Sequence, residues 1–271
     1  MKLQLTALPA ILLLALVPLS AGAAAPVDCG TEPGTVSAVL EDGKLTVSGE
    51  GEIKESAFAG NADIVTLTVE DGITAIGENA FCGCSRLTTV SLPDSLASIG
   101  TQAFTSCEAL NTVNLSAGLT EIGSYGFYNC PALKQVNLGE GGQAALTLGN
   151  FAFACSGLTA VSIPANVAGL GSFAFYNCPS LAEVTLPDSL SEMTLGDYVF
   201  FYSPVTNVIC GLVYEDSDAL KTLFPDQSGI TFTGPAASTF SEGGPAAVAL
   251  CGGAAVLLAV GGVVLGRKKA G

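Results

Sequence analysis

The chain has 271 residues, contains no histidine or tryptophan, and carries a net charge of −15. It has only nine Lys and Arg residues, so the clustered cations that bind phosphate are missing, and nucleic acid is excluded as a partner. Without histidine, Ser–His–Asp and Cys–His catalytic arrangements are excluded as well.

The N-terminal segment has the composition of a signal peptide. Lys2 precedes an apolar stretch at residues 8–19, and the small residues at 21–25 suit a signal peptidase. We therefore expect residues 1–25 to be a signal peptide. Residues 26–52 follow as an N-terminal cap, with a β-hairpin across Asp42-Gly43.

The middle of the chain is organised by a repeat of about 23 residues. Its marker phenylalanines are separated by 23, 23, 23, 26, 22 and 25 residues, and they are Phe58, Phe81, Phe104, Phe127, Phe153, Phe175 and Phe200. From the second unit onward, an Ile or Leu followed by Gly lies five residues before the Phe, as in Ile99-Gly100. About seven units therefore occupy residues 53–210.

Each unit also contains a run of the type Leu-x-x-Val-x-Leu, such as residues 110–115. The alternation of apolar residues predicts a short strand with one buried face, often ended by a proline such as Pro93. We expect the following Ile-Gly-x-x-Ala-Phe segment to return as a short helical or irregular leg, with its Phe filling the space inside the unit and aligned with the Phe of the next unit. One unit cannot bury its apolar residues alone, so the units must stack as a repeat solenoid with paired parallel β-strands.

The motif Ile-Gly-x-x-Ala-Phe-x-x-Cys-x-x-Leu-x-x-Val-x-Leu-Pro resembles the leucine-rich repeats of the BspA-like family, also called the Treponema-type repeat. The resemblance covers residues 53–210. It departs in the fifth unit, where the cysteine is displaced to Cys155, and in the first and last units, which lack it. The resemblance implies a curved leucine-rich-repeat solenoid exported to the bacterial surface, in a family associated with adhesion to host proteins or other cells.

The C-terminal part is predicted to cap and anchor the solenoid. Residues 211–233 form a cap with a short helix that begins after Ser217, and residues 234–245 form a Gly-, Ser- and Pro-rich linker. Residues 246–265 are uncharged and long enough for a transmembrane helix. Basic residues at 267–269 would keep the tail, residues 266–271, cytoplasmic. This arrangement resembles a sortase sorting signal, but no LPxTG-like motif is present.

Four cysteines lie three residues after a repeat Phe and should stack in a ladder: Cys84, Cys107, Cys130 and Cys178. The same position holds Asn61, Ser156 or Ser203 in other units, so only a small side chain is required there. We therefore favour buried free thiols over disulfides. No metal or cofactor is expected, because a zinc site lacks histidine and a compact Cys-x-x-Cys pair.

Two surfaces are candidates for binding. The first is the outward side of the predicted strands, with small polar residues that include Thr89, Thr112, Asn114, Gln135 and Asn137. Such residues also form strands well without any ligand. That ordinary interpretation stays open beside the functional one.

The second surface is an aromatic stripe beside the repeat Phe. The residues two before the Phe are Tyr125, Phe151, Phe173 and Tyr198, and the residues directly after it are Tyr128, Tyr176 and Phe201. Exposed rings there would form a docking surface for a protein or a glycan. The alternative is a second packing layer along the flank of the solenoid.

Taken together, these features favour a non-enzymatic, single-pass membrane protein of the cell surface, with its repeats outside the cell. We expect it to bind an extracellular protein or glycan, in adhesion or in contact with a host or another cell. Two alternatives remain: a structural envelope scaffold without a specific ligand, and a carbohydrate-binding accessory protein.

Overall fold

The computed structural model describes residues 25–139, 142, 144–212, 216–225 and 228–234. The predicted signal peptide (except Ala25), the linker (except Gly234), the transmembrane helix and the cytoplasmic tail lie outside these residues. Within the described ranges, no helix combines the length and the apolar character that crossing a bilayer requires.

Short strands make up most of the regular structure. In chain order they are β1 (Val27–Asp28), β2 (Val36–Glu41), β3 (Lys44–Gly49), β4 (Gly51–Ile53), β5 (Thr66–Val69), β6 (Ile73–Ile76), β7 (Thr89–Ser91), β8 (Ser98–Ile99), β9 (Thr112–Asn114), β10 (Glu121–Ile122), β11 (Gln135–Asn137), β12 (Leu146–Leu148), β13 (Ala160–Ser162), β14 (Val167–Leu170), β15 (Glu183–Thr185), β16 (Thr194–Leu195), β17 (Asn207–Ile209) and β18 (Thr231–Thr233). A 3-10 helix, Asp188–Glu192, and one α-helix, α1 (Asp218–Leu223), complete the described elements.

The first sheet is built from the Leu-x-x-Val-x-Leu runs. The hairpin β2–β3 turns at Asp42-Gly43 and begins a parallel ladder of β3, β5, β7, β9 and β11. Equivalent residues pair across units, so Val90 is aligned with Val113, and Val113 with Val136. The ladder then stops, and a separate sheet continues through β13, β15, β17 and β18. The predicted solenoid of parallel strands is therefore confirmed.

A second parallel sheet runs beside the first, in the order β16, β14, β12, β10, β8, β6 and β4. From β6 onward these strands end at the Ile or Leu that precedes the repeat glycine, so the prediction of a helical or irregular return leg is wrong for that residue, and the chain forms a turn from the glycine onward. Because stacking brings equivalent segments to strand spacing, each extended segment finds a partner in the next unit. The glycine permits this approach: a Cβ on Gly171 would lie 2.4 Å from the carbonyl carbon of Gly149.

The third side of each unit is a tight turn that carries the repeat Phe inward. The backbone bonds from unit to unit here too, as from the Phe104 N–H to the Gly126 oxygen at 2.8 Å. The Phe rings form a continuous stack with centroids 5.1 to 5.5 Å apart, from Phe58 to Phe200. Phe81, Phe104, Phe127, Phe153 and Phe175 are fully buried, so this stack forms the centre of the core.

The C-terminal cap continues the core beyond the last repeat. The Ser217 hydroxyl accepts a hydrogen bond from the Leu220 N–H at 3.2 Å and caps α1. Leu220, Leu223 and Phe224 are buried, and the Phe224 ring stacks on Phe200 at 5.3 Å. The apolar side chains of the cap thus cover the end of the solenoid, where a further repeat would otherwise pack.

The position three residues after the repeat Phe is a hydrogen-bond donor site. The Cys107 thiol donates to the carbonyl oxygen of Phe81 at 3.3 Å, and the Ser203 hydroxyl donates to that of Phe175 at 2.7 Å. Cysteine and serine are interchangeable there because both are small and carry a donor. All cysteines among the described residues are free, and no group of acidic or thiol side chains there is arranged to hold a metal ion.

Candidate binding surfaces

The aromatic stripe forms a second ring stack parallel to the Phe core. Adjacent centroids lie 4.9 Å apart for Tyr125 and Phe151, 4.8 Å for Phe151 and Phe173, and 5.4 Å for Phe173 and Tyr198. Their φ angles lie between 57° and 60°, in the left-handed region. That conformation costs a bulky residue about 1–2 kcal/mol. Since the same position holds Ser56 and Asn79 elsewhere, the backbone does not require aromatic side chains.

A second row of rings packs against this stack. Tyr128 meets Tyr125 edge to face at 5.4 Å, and Tyr176 meets Phe173 in the same way at 5.7 Å. Phe201 lies 5.3 Å from Tyr198. The structure therefore brings together all seven aromatic residues predicted from the sequence.

Tyr202 belongs to the same cluster but was not identified in the sequence. Its ring lies 4.2 Å from Phe201 and 5.7 Å from Tyr176. A signal was present, because Tyr202 lies two residues after its repeat Phe, at a second left-handed position that Ser106 and Asn129 occupy in earlier units. We call these eight residues the aromatic patch.

Exposure within the aromatic patch increases toward the C-terminal end. The rings of Tyr125, Phe151 and Phe173 are half-buried, whereas Tyr198, Phe201 and Tyr202 are 53%, 43% and 68% exposed. Phe151 and Phe173 are each stacked between two rings, and Tyr125 is stacked on Phe151, but no further ring of this stack follows Tyr198. The early part therefore forms a packing layer, and the late part an open apolar surface.

The exposed end of the aromatic patch borders an apolar cleft of about 370 Å³. Tyr198, Phe201 and Tyr202 line one side, and Leu223, Phe224, Pro225 and Ile230 from the C-terminal cap line the other. Among the described residues, none of those that line this cleft is charged. It is therefore suited to an apolar group.

One titratable interaction lies inside the aromatic patch. Cys155 is half-exposed and contacts the Tyr128 hydroxyl. The pKa of Tyr128 is raised, first by the charge of a Cys155 thiolate and then by burial. A phenol in this setting stays neutral at physiological pH and acts as a hydrogen-bonding group.

The predicted polar residues of the strand face lie together on three consecutive strands. Thr89, Thr112 and Gln135 are aligned across β7, β9 and β11, and Asn114 is aligned with Asn137. Thr112 is half-buried, and the other four residues are exposed. This surface is therefore available to solvent.

The strand face contains a shallow groove where the first sheet is interrupted. About 320 Å³ of open space lies between β11 and β13, bordered by Thr112, Asn114, Gln135 and Asn137 but not by Thr89. Val136 is partly exposed here, whereas the equivalent Val113 is buried. The interruption coincides with a shortened turn: Leu158 follows Phe153 by five residues, while Leu133 follows Phe127 by six.

Comparison with known families agrees with this geometry. Six copies of the BspA type leucine rich repeat region match residues 51–145 and 146–211, which is more than half of the chain. The chain belongs to the BspA-type leucine-rich repeat family. A comparison with curated proteins finds no match to this BspA-type protein.

Several solved structures are similar to this BspA-type protein. A leucine-rich repeat protein from T. pallidum is 20% identical, with 76% of this chain and 98% of that chain covered and a TM-score of 0.40. A leucine-rich repeat protein from Bacteroides ovatus is 19% identical, with 82% and 79% covered and a TM-score of 0.34. A leucine rich cell surface protein from Faecalibacterium prausnitzii is 18% identical, with 70% and 77% covered and a TM-score of 0.36.

Proposed function

We propose that this BspA-type protein is a non-catalytic binding scaffold of the bacterial cell surface that docks an extracellular protein through the exposed end of its aromatic patch. The observation that carries the proposal is the cluster of Tyr198, Phe201 and Tyr202, whose rings are exposed together beside an apolar cleft. Contiguous apolar surface of this kind is rare on monomers except where a partner binds. Tyr and Phe are also enriched in the cores of interfaces.

The apolar cleft beside the exposed rings favours a protein partner over a glycan. In the early part of the aromatic patch, the flat ring faces on which a sugar would stack are covered by the next ring at about 5 Å. At the exposed end, the rings border the cleft, and Leu223 and Phe224 on its other side suit an apolar side chain of a partner better than a hydroxylated sugar. A buried anchor of this type supplies much of the affinity of protein interfaces.

The proposed display outside the cell depends on the two ends of the chain. Residues 1–25 have the pattern of an export signal, and residues 246–265 form an uncharged apolar run followed by basic residues. A single membrane anchor with the repeats outside would present the aromatic patch to other cells or to a host. Adhesion is the role that this arrangement supports best.

The test uses the full chain in a neutral detergent and immobilised extracellular matrix proteins, with a glycan array in parallel. The variant Tyr198→Ser, Phe201→Thr, Tyr202→Ser places in each position a residue that other units carry there, namely Ser56, Thr105 and Ser106. We expect saturable binding that falls at least about tenfold in the variant, equivalent to about 1.4 kcal/mol, with little change in melting temperature.

A matched control changes the strand face instead, with Thr89→Ala and Gln135→Ala. These variants should bind like the unmodified chain. Equal loss in both sets of variants would contradict docking at the aromatic patch. Binding only on the glycan array would support a carbohydrate-binding protein, and no saturable binding at all would support a passive envelope scaffold.

A further inference from the structure

Two buried polar atoms of the described residues have no hydrogen-bond partner, and both lie beside one cleft. They are Oδ1 of Asn166 and Oγ of Ser189. The cleft has a volume of about 390 Å³ and lies on the turns that lead into the second sheet, beside β14 and the 3-10 helix. It is a different part of the repeat from the aromatic patch, so an inference drawn from it goes beyond the proposed function.

The repeat itself shows what these atoms would ordinarily do. Ser95 is the third residue after the last Leu of its strand run, as Ser189 is after Leu186 and Asn166 after Ile163. The Ser95 hydroxyl accepts from the Gly72 N–H at 3.0 Å and donates to the Ile73 oxygen at 2.9 Å. Asn166 Oδ1 and Ser189 Oγ occupy the same place in later units but lack such partners.

Unequal turn lengths explain the loss of partners. Seven residues separate Ile163 from Leu170, whereas ten separate Leu138 from Leu148 and nine separate Leu186 from Leu195. The Asn166 turn is thus flanked on both sides by longer turns, which cannot stack on it evenly. The pairing of β12 with β14 also shifts register, between Leu146 and Thr147. The open space left between these turns is the cleft.

The cleft offers mainly hydrogen-bond acceptors on an aliphatic wall. The Asn166 Nδ2 donates to the Ala144 oxygen at 3.5 Å, so the unused group of that side chain is its carbonyl oxygen. The carboxylate of Glu192, an exposed residue, adds a negative charge, and none of the described residues that line the site is basic. Ala165, Ala168 and Met193 provide apolar surface.

We propose that this cleft binds a lysine side chain of a partner protein. The ammonium group has three donors and no acceptor, which complements the exposed Glu192 carboxylate directly; a small shift of the turns on binding would bring Asn166 Oδ1 and Ser189 Oγ, both buried in the unbound chain, within its reach. The four-carbon stem of lysine can lie along alanine and methionine surface while its charged head reaches the acceptors. The net charge of −15 adds long-range attraction for a basic partner.

The test measures binding of N-acetyl-lysine-N-methylamide to the full chain in neutral detergent by saturation-transfer NMR, at about 0.15 M salt to screen surface charge. The matched neutral probe is N-acetyl-norleucine-N-methylamide, which has a similar stem without the ammonium group. We expect the lysine probe to bind at least about tenfold more tightly than the norleucine probe.

Two substitutions in the cleft and one control outside it locate the site. Glu192→Gln should weaken binding of the lysine probe at least about fivefold, whereas Glu108→Gln, which removes the same charge from an exposed position outside the cleft, should leave it unchanged. Asn166→Asp should tighten binding several-fold, because it replaces the amide oxygen with a carboxylate.

Equal binding of the two probes would overturn the proposal, since it would show that the ammonium group is not recognised. Equal effects of Glu192→Gln and Glu108→Gln would overturn it as well, because they would indicate attraction to the overall charge alone. No detectable binding of the lysine probe would overturn the proposal too. If Asn166→Asp does not fold, the two glutamate variants, both at exposed positions, still test whether the lysine probe binds in the cleft.

Discussion

The Cys130 thiol donates a hydrogen bond to the carbonyl oxygen of Phe104, 3.3 Å away in the preceding unit. The same relationship joins Cys84 to Phe58, and Cys178 to Phe153. The ladder cysteines therefore fasten each turn to the one before it, and they require neither oxidation nor a metal to do so.

Substitution of Cys130 tests whether the donor or the thiol matters. Cys130→Ser keeps a donor of similar size, as Ser203 does in its own unit, and should leave the free energy of unfolding within about 0.5 kcal/mol. Cys130→Ala removes the donor and should lower it by about 1 kcal/mol. Urea unfolding of both variants measures the difference. Equal stability of the two would show that the hydrogen bond contributes nothing.

Alkaline pH should destabilise the solenoid through the same thiols. Burial raises the pKa of Cys84 and of Cys130 from 9.0 to about 12. A thiol whose pKa is raised on folding holds its proton longer in the folded state, so its contribution is complete below pH 9 and is lost between about 9 and 12. Each thiol should steepen the decline by up to about 1.4 kcal/mol per pH unit.

Unfolding measured at several values between pH 8 and pH 11 checks this prediction. The double variant Cys84→Ser, Cys130→Ser is the control, and its stability should fall less steeply above pH 9. Identical slopes would indicate that other groups, such as tyrosines or lysines, cause the alkaline loss.

A pair of neighbouring glycines tests the close approach in the second sheet. A Cβ on Gly171 would lie 2.4 Å from the carbonyl carbon of Gly149, whereas a Cβ on Gly169 would meet its nearest atom at 3.4 Å. Gly171→Ala should therefore lower the free energy of unfolding by about 2 kcal/mol or more. Gly169→Ala should stay within about 1 kcal/mol of the unmodified chain. The two thermal melting curves measure this, and a reversed order would refute the packing argument.

Two equivalent serines should respond differently to removal of the hydroxyl. Ser95→Ala leaves the Gly72 N–H and the Ile73 oxygen without their partner and should cost about 1–2 kcal/mol of unfolding free energy. Ser189→Ala removes a buried hydroxyl that has no partner and should be neutral or slightly stabilising. The midpoints of urea denaturation, compared at equal denaturant dependence of the unfolding free energy, measure the two losses. A comparable loss in Ser189→Ala would show that its hydroxyl is already satisfied.

The Phe core should be far less tolerant of substitution than the surface. Phe104 is fully buried between Phe81 and Phe127, with ring centroids 5.2 and 5.1 Å away. Phe104→Ala should lower the free energy of unfolding by about 3–5 kcal/mol, because a large cavity forms in the middle of the stack. Circular dichroism melting measures the loss. A shift of less than about 1 kcal/mol would mean that the neighbouring units collapse onto the cavity.

Much of the fold could be predicted because each unit repeats one local pattern. The spacing of the Phe residues predicted the core stack. The Leu-x-x-Val-x-Leu runs predicted seven of the strands, namely β5, β7, β9, β11, β13, β15 and β17. The second sheet was missed because its apolar residues are spaced three apart, as in Leu96 and Ile99 or Leu119 and Ile122, a spacing that fits a helical or irregular leg as well as a strand.

The candidate surfaces were predicted less completely. The seven aromatic residues were found from their spacing, but Tyr202, the most exposed of the cluster, was not. The cleft beside Asn166 and Ser189 was not anticipated either, although the longer turns around it are visible in the sequence. Which polar atoms lose their partners depends on how successive turns stack, and a single unit carries no such information.

The sequence by itself determined the repeat period, the inward Phe, the strands of the first ladder and the small side chain three residues after the Phe, since each follows from the geometry of one unit stacked on its own copy. Only the tertiary structure decided where this regularity ends: at the open face of Tyr198, at the gap between β11 and β13, and at the unpaired Asn166 oxygen. Exposure and unmet hydrogen bonds at these places arise from differences between adjacent units, so they are set by contacts between segments more than twenty residues apart.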